Sequence, residues 1–153
     1  MMSRVCLLLA LALFITSTAF AADIQVKNAW LRELIPGQNN TVAYLQLHNS
    51  GLERRQLSAV ESNFAQRAEM HTQIMTNGMM RMRKLDKLDI GAFETVTFDA
   101  GGHHIMLFGV DELSKTSEDR FLVLIFSNGE RLSVMLELRS IINSTSDSHT
   151  HHH

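Results

Sequence analysis

Residues 121–139 read FLVLIFSNGERLSVMLELR, and this stretch decides the fold class. Leu132, Val134, Leu136 and Leu138 alternate with Ser133, Met135, Glu137 and Arg139, the period of two that a half-buried strand requires. Phe121 to Phe126 is apolar at every position, as expected for a strand covered on both faces or a short buried core segment. Asn128-Gly129 lies between the two runs and predicts a tight hairpin, since both residues tolerate the positive φ of a type I′ turn.

Working back toward the N-terminus, the same texture recurs. Short β-forming runs occupy residues 23–33, 41–48, 55–61, 67–75, 79–85, 94–99 and 104–110. Pro36-Gly37, Asn49-Ser50-Gly51, Asn77-Gly78 and Gly101-Gly102 punctuate them. Strands at this spacing with turn residues between them predict an all-β sandwich or barrel. No internal repeat and no linker interrupts the chain, so residues 22–142 are expected to form one domain.

Both ends read differently. Arg4 is the sole charge in residues 1–21, Val5 to Ile15 is an unbroken apolar run, and Ala19-Phe20-Ala21 fits the small-x-small cleavage rule. This is expected to be a secretory signal peptide cut after Ala21, because the run is too short for an uncleaved anchor to span a bilayer. Once cut, the chain would have no stable membrane insertion. The other end, residues 143–153, is almost entirely polar and finishes His149-Thr150-His151-His152-His153. Such a tail cannot bury a core face and is expected to be disordered.

The composition narrows the chemistry. A net charge of −2 gives no basic field for nucleic acid. The chain has nine Met and eight His but one Cys, Cys6, which lies inside the signal peptide and away from its cleavage point. The mature domain therefore has no thiol: no disulfide, no CxxC pair, no thiolate zinc cluster and no cysteine-ligated electron-transfer copper.

Five methionines fall at positions 70, 75, 79, 80 and 82 around Asn77-Gly78. A two-residue loop there pairs Met75 with Met80, Gln73 with Met82 and His71 with Lys84. His71, Gln73, Met75, Met80, Met82 and Lys84 then share one face, with Met82 diagonal to His71 at a Cβ separation of about 7 Å. Downstream, His104 and Met106 share a strand face, and Gly101-Gly102 permit a sharp entry that could bring them beside the hairpin, with His103 pointing away. Two imidazoles and two neutral, soft thioethers suit Cu(I) rather than zinc or magnesium. Met70 and Met135 read instead as packing, and His48 as structural or surface. Glu69 is placed on the wrong face of the hairpin to complete a zinc hydrolase's His/His/carboxylate set.

These residues resemble a known family. Glu69-Met70-His71, Gly78-Met79-Met80-Arg81-Met82-Arg83 and Gly101-Gly102-His103-His104-Ile105-Met106-Leu107 are similar to the periplasmic copper chaperones of the PCu(A)C type, whose signature is H-x10-M-x21-H-x-M. Asn28-Ala29-Trp30, Pro36-Gly37, Ala43-Tyr44 and His48-Asn49-Ser50-Gly51 extend the likeness over residues 24–141. Ile90-Gly91-Ala92, Asp99-Ala100 and Phe108 depart from the family's usual Pro, Pro and Met, without removing a ligand. The resemblance implies a cupredoxin-like β-sandwich or Greek-key barrel of about eight to nine short strands. It implies a Cu(I) site made by His71, Met82, His104 and Met106; apart from the resemblance, Met80, on the same hairpin face, is a candidate auxiliary donor beside it, with Met75 a further spare.

The implied role is a periplasmic metallochaperone, not an enzyme. It would be a monomer that passes Cu(I) to a copper acceptor, an oxidase subunit or a Sco-type thiol protein, during assembly of cytochrome oxidase copper centres. The alternative is a sequestration or resistance protein that stores the ion. Some relatives carry His- or Met-rich extensions, and His149, His151, His152 and His153 could capture Cu(II), which imidazole suits. An affinity tag would be an uninterrupted run of six behind no signal peptide, so the tail is read as natural.

Overall fold

The computed structural model describes residues 23–110 and 120–140, and in that range the chain is all β. The expected signal peptide and the His-rich tail lie outside the described residues. The eleven strands of the described residues are β1 (Ile24–Arg32), β2 (Thr41–Asn49), β3 (Arg55–Ser62), β4 (Ala65–Thr76), β5 (Met79–Lys84), β6 (Leu88–Ile90), β7 (Thr95–Phe98), β8 (His103–Val110), β9 (Phe121–Phe126), β10 (Arg131–Met135) and β11 (Glu137–Arg139). They form two sheets rather than a closed barrel. One has seven strands in the order β11-β1-β2-β7-β8-β4-β5, the other four in the order β10-β9-β3-β6.

The core lies between the sheets and follows strand alternation. Ala43, Leu45 and Leu47 of β2, Met70 of β4, and Ile105 and Leu107 of β8 point inward from the large sheet. They meet Leu57, Leu122, Leu124, Phe126 and Val134 of the small one. Met70 packs as its sequence context predicts. Met135 does not: it is exposed, because the alternation that buries Val134 turns both of its neighbours outward. In β9 the same rule applies, with Leu122, Leu124 and Phe126 buried and Phe121, Val123 and Ile125 only half covered.

Two runs are more broken than their patterns suggest. The stretch 130–139 divides at Leu136, a buried residue whose N–H donates to the Arg120 carbonyl at 3.0 Å in the β9–β10 register, after which Glu137–Arg139 pair with β1 in the other sheet. β1 carries a bulge between Lys27 and Trp30, with Asn28 at φ 52°. The extra residue reverses which positions face inward, from Ile24 and Val26 to Leu31, and lays Trp30 against Tyr44 on the outer face at 4.6 Å. Fully buried Asn49 ties the end of β2 to the small sheet. Its side-chain amide donates to the carbonyls of Glu53 at 2.7 Å and Gly91 at 2.9 Å, and its Oδ1 accepts from the Gly51 N–H.

The hairpins differ from each other. Asn77 and Gly78 both have positive φ, 52° and 76°, as a type I′ turn demands. Asn128-Gly129 instead belongs to a three-residue loop, Ser127 to Gly129, in which Gly129 has positive φ and Asn128 does not. The Gly129 N–H donates to the Phe126 carbonyl at 2.9 Å, and the Phe126 N–H donates to the Glu130 carbonyl at 2.9 Å. That is a type I turn closed by a left-handed glycine, the usual three-residue solution.

Candidate metal centre

Three neighbouring strands, β8, β4 and β5, build the candidate site on the outer face of the seven-stranded sheet. The β4–β5 register pairs His71 with Lys84, Gln73 with Met82 and Met75 with Met80, the pairing that the Asn77-Gly78 loop predicts. The β4–β8 register places Arg67 opposite Phe108, Glu69 opposite Met106 and His71 opposite His104. A signature separated by tens of residues in sequence thus becomes a ladder of adjacent cross-strand pairs.

The two imidazoles meet directly, with ring centroids 5.9 Å apart. His104 lies on the outer face yet is only 3% exposed. Its Nδ1 is 3.1 Å from the Gly102 carbonyl, which can only accept, so Nδ1–H donates and Nε2 is left with the lone pair. Burial pushes the His104 imidazole below its usual range, which favours the neutral, ligating form. The same Gly102 carbonyl accepts the Gln73 N–H at 3.2 Å, so the double-glycine corner is fastened to β4 beside the site.

His71 is the mirror case. Its Nε2 lies 2.9 Å from Glu69 Oε2, and a carboxylate accepts, so Nδ1 carries the free lone pair. Lys84 Nζ donates to Glu69 Oε1 at 3.1 Å, and Arg67 Nε forms an ion pair with the same oxygen at 3.1 Å. The His71 hydrogen bond, followed by that of Lys84, holds the Glu69 carboxyl below the usual carboxylate range. His71 Nδ1 and His104 Nε2 are both buried without a hydrogen-bond partner. Two orphaned nitrogens on rings 5.9 Å apart, each ring oriented through its other nitrogen, are the arrangement that a metal-ligating pair needs.

The thioethers flank this pair. Met106 is two residues from His104 on the same face and half-buried between Glu69 and Val42. Met82 lies on the other side of His71, opposite Gln73, and is exposed. Met80 is one step further out. Among the described residues no three His, Cys, Asp or Glu side chains form a metal-binding group, and the soft donor atoms beside the two imidazoles are the thioethers of Met82 and Met106. The expectation for Glu69 is overturned. It shares a face with His71, as residues two apart on a strand must, and acts as the ring's hydrogen-bond acceptor. Their common parity was the signal. His103 faces the other way, its ring 5.9 Å from Phe98, and His48 pairs with Thr95 Oγ1 at 3.0 Å. The four histidines of the tail lie outside the described residues.

Comparison with known families identifies the fold. The LpqE-like model, a family described by its likeness to a lipoprotein of that name, matches residues 24–138. The chain belongs to this LpqE-like, PCuAC family. Its PCuAC domain is similar to the copper-bound PCuAC domain from PmoF2, at 18% identity over 77% of this chain and 93% of that one, with a TM-score of 0.64. It is similar also to DR1885 from Deinococcus radiodurans at 26% identity. The Cu(I) form of that protein matches over 82% of this chain and 85% of its own, with a TM-score of 0.64. The apo form matches over 81% and 83%, with a TM-score of 0.60. Comparison with curated protein sequences gives no match.

Proposed function

We propose that this PCuAC domain is an exported copper chaperone that holds Cu(I) between His71, His104, Met82 and Met106 and passes it to an acceptor during assembly of oxidase copper centres. The observation that carries this reading is the pair of facing imidazoles, each with one nitrogen fixed by a hydrogen bond and the other buried and unpartnered. The likeness to a Cu(I)-bound solution structure supports the choice of ion. Export accords with the lipoprotein description of the family, and we place the mature protein in the periplasm as a monomer.

Four neutral ligands leave the bound ion with its full positive charge, unlike thiolates, which compensate it. Such a site can hold copper and still yield it, one ligand at a time, to an acceptor richer in thiolate, of the Sco type or an oxidase subunit. The His-rich tail would add a Cu(II)-capturing segment. No catalytic step is assigned to any residue.

Anaerobic titration of Cu(I) against a competing chelator tests the site. His71→Ala and His104→Ala should each weaken binding by more than the roughly 10–100-fold typical of second-layer changes. Met82→Leu and Met106→Leu should weaken it too. Unchanged affinity in either His variant removes the ligand assignment. Mixing copper-loaded protein with a soluble oxidase-subunit domain tests delivery. No transfer, together with copper sensitivity on deletion, would mark the protein as a sequestering one.

A further inference from the structure

The β4–β5 hairpin outruns the sheet that carries it. The β8 pairing of β4 ends at Thr72 opposite His103, with one further bond from the Gln73 N–H to the Gly102 carbonyl. Beyond that point, among the described residues, residues 74–82 pair only across their own hairpin. On this projecting ribbon stand Met75 at 65% exposure and Met79, Met80 and Met82 at 54% each. Side chains that exposed do not fill a core, and polar β-formers would serve a solvated hairpin as well.

Their placement is ordered. Met75 and Met80 are directly opposite, and Met82 is two residues from Met80, so all three sulfurs rise from the face that carries His71. Residues 73–82 contain no carboxylate, histidine or cysteine, and their single charge, Arg81, pairs with Ile74 on the opposite face. A hard cation finds no anionic ligand there. A soft monovalent one finds three flexible thioethers.

We propose that Met75 and Met80, together with Met82, form a second Cu(I) site at the hairpin tip, outboard of the His71–His104 pair, with Met82 shared between the two. The tip receives the ion from solution or a donor, and Met82, diagonal to His71, carries it inward. The site itself stands on the tip geometry, while its role as an entry station rests on the copper reading of the histidine pair.

Ag(I), a soft monovalent probe that does not change oxidation state, separates the two ideas. It would be titrated in chloride-free buffer into the full mature chain bearing labelled methionine methyl groups. The expected result is two phases, one moving Met106 and a weaker one moving Met75 and Met80. A His71→Ala/His104→Ala variant should lose the first phase and keep the second. A Met75→Leu/Met80→Leu variant should bind one equivalent fewer than the parent. Met75 and Met80 methyl groups that stay still while Met106 moves overturn the tip site and leave the copper reading standing. An unchanged number of equivalents in the Leu variant overturns it as well. Movement at the tip with Met106 and both imidazoles unaffected supports the tip site and overturns the reading of the histidine pair.

Discussion

Glu69 organises the site without being a donor of it. Its carboxylate accepts from His71 and Lys84 and pairs ionically with Arg67, so it sets the His71 tautomer and draws two cations alongside the ring. Arg67 also lies 4.5 Å over the Phe108 ring, which is itself 6.4 Å from His71. Glu69→Ala should leave the chain folded and weaken Cu(I) by about 10–100-fold in the same chelator competition, the usual cost of removing a ligand's hydrogen-bond acceptor. The metal-free protein should also lose stability in acid, with a defined sign. His104 in the folded chain titrates below the ordinary 6.5, chiefly because it is buried, so the unfolded chain takes up the proton first. Stability owed to neutral His104 is complete above that ordinary value and drains as pH falls through the folded one. Glu69 adds a loss of the same sign lower down, beneath its ordinary 4.5. Thermal midpoints from about pH 8 to about pH 4 should decline from near 6.5, and less steeply at first in His104→Gln. A flat profile would contradict the assignment. At this scale His71, His104, Met82 and Met106 were legible because types and spacings alone define the signature. The tautomers and the Gly102 carbonyl were not, since they depend on which strand lies beside which.

Turn chemistry decides the elements. Asn77-Gly78 forms the two-residue turn its sequence announces, whereas Asn128-Gly129, the same dipeptide, closes a three-residue loop. The difference lies in the flanking register: Thr76 pairs with Met79 in one hairpin, while the Phe126 N–H donates to the Glu130 carbonyl in the other. A dipeptide signals a hairpin; the strands beside it choose the loop. β6, with three residues, is too short to show any period, and in β1, expected over residues 23–33, the bulge at Asn28 shifts which positions face inward. Gly78 is the position where one change should be felt in the hairpin. A Cβ added there meets nothing within 4 Å, but φ is +76°, so the cost of Gly78→Val is conformational, about 1–2 kcal/mol or somewhat more for a β-branched residue. Amide exchange over residues 74–82 should accelerate in that variant while the amides of Ile105 and Leu107 keep their protection.

The whole molecule is held by pairings remote in sequence. β8 lies between β7 and β4, also pairs with β2, and so joins strands that β3 and β6 of the small sheet separate in sequence; β11 runs parallel to β1 and closes the far edge. Strand order of this kind leaves no mark on local periodicity, so the existence of the strands was readable and their arrangement was not. A ligand bound across β8, β4 and β5 ties those strands together only in the folded state. Ag(I) or Cu(I) at 1,000 times its dissociation constant should therefore stabilise the protein by about 4 kcal/mol, seen as a raised thermal midpoint. The His71→Ala/His104→Ala variant should show a much smaller rise.

The position of β5 at the sheet edge gives this arrangement a kinetic character. His104 and Met106 are on β8, which is paired on both sides, while Met82 is on a strand with a partner on one side alone. The cradle is thus a vice with one fixed jaw and one moving jaw. Edge strands open at far lower free energy than interior ones. On the ligand set proposed above, lifting β5 would free Met82 alone while both imidazoles keep their places. With that ligand set, the lifetime of a bound ion would be governed by how often an edge strand breathes rather than by the stability of the fold, and a partner that pairs with that edge could hold the jaw open.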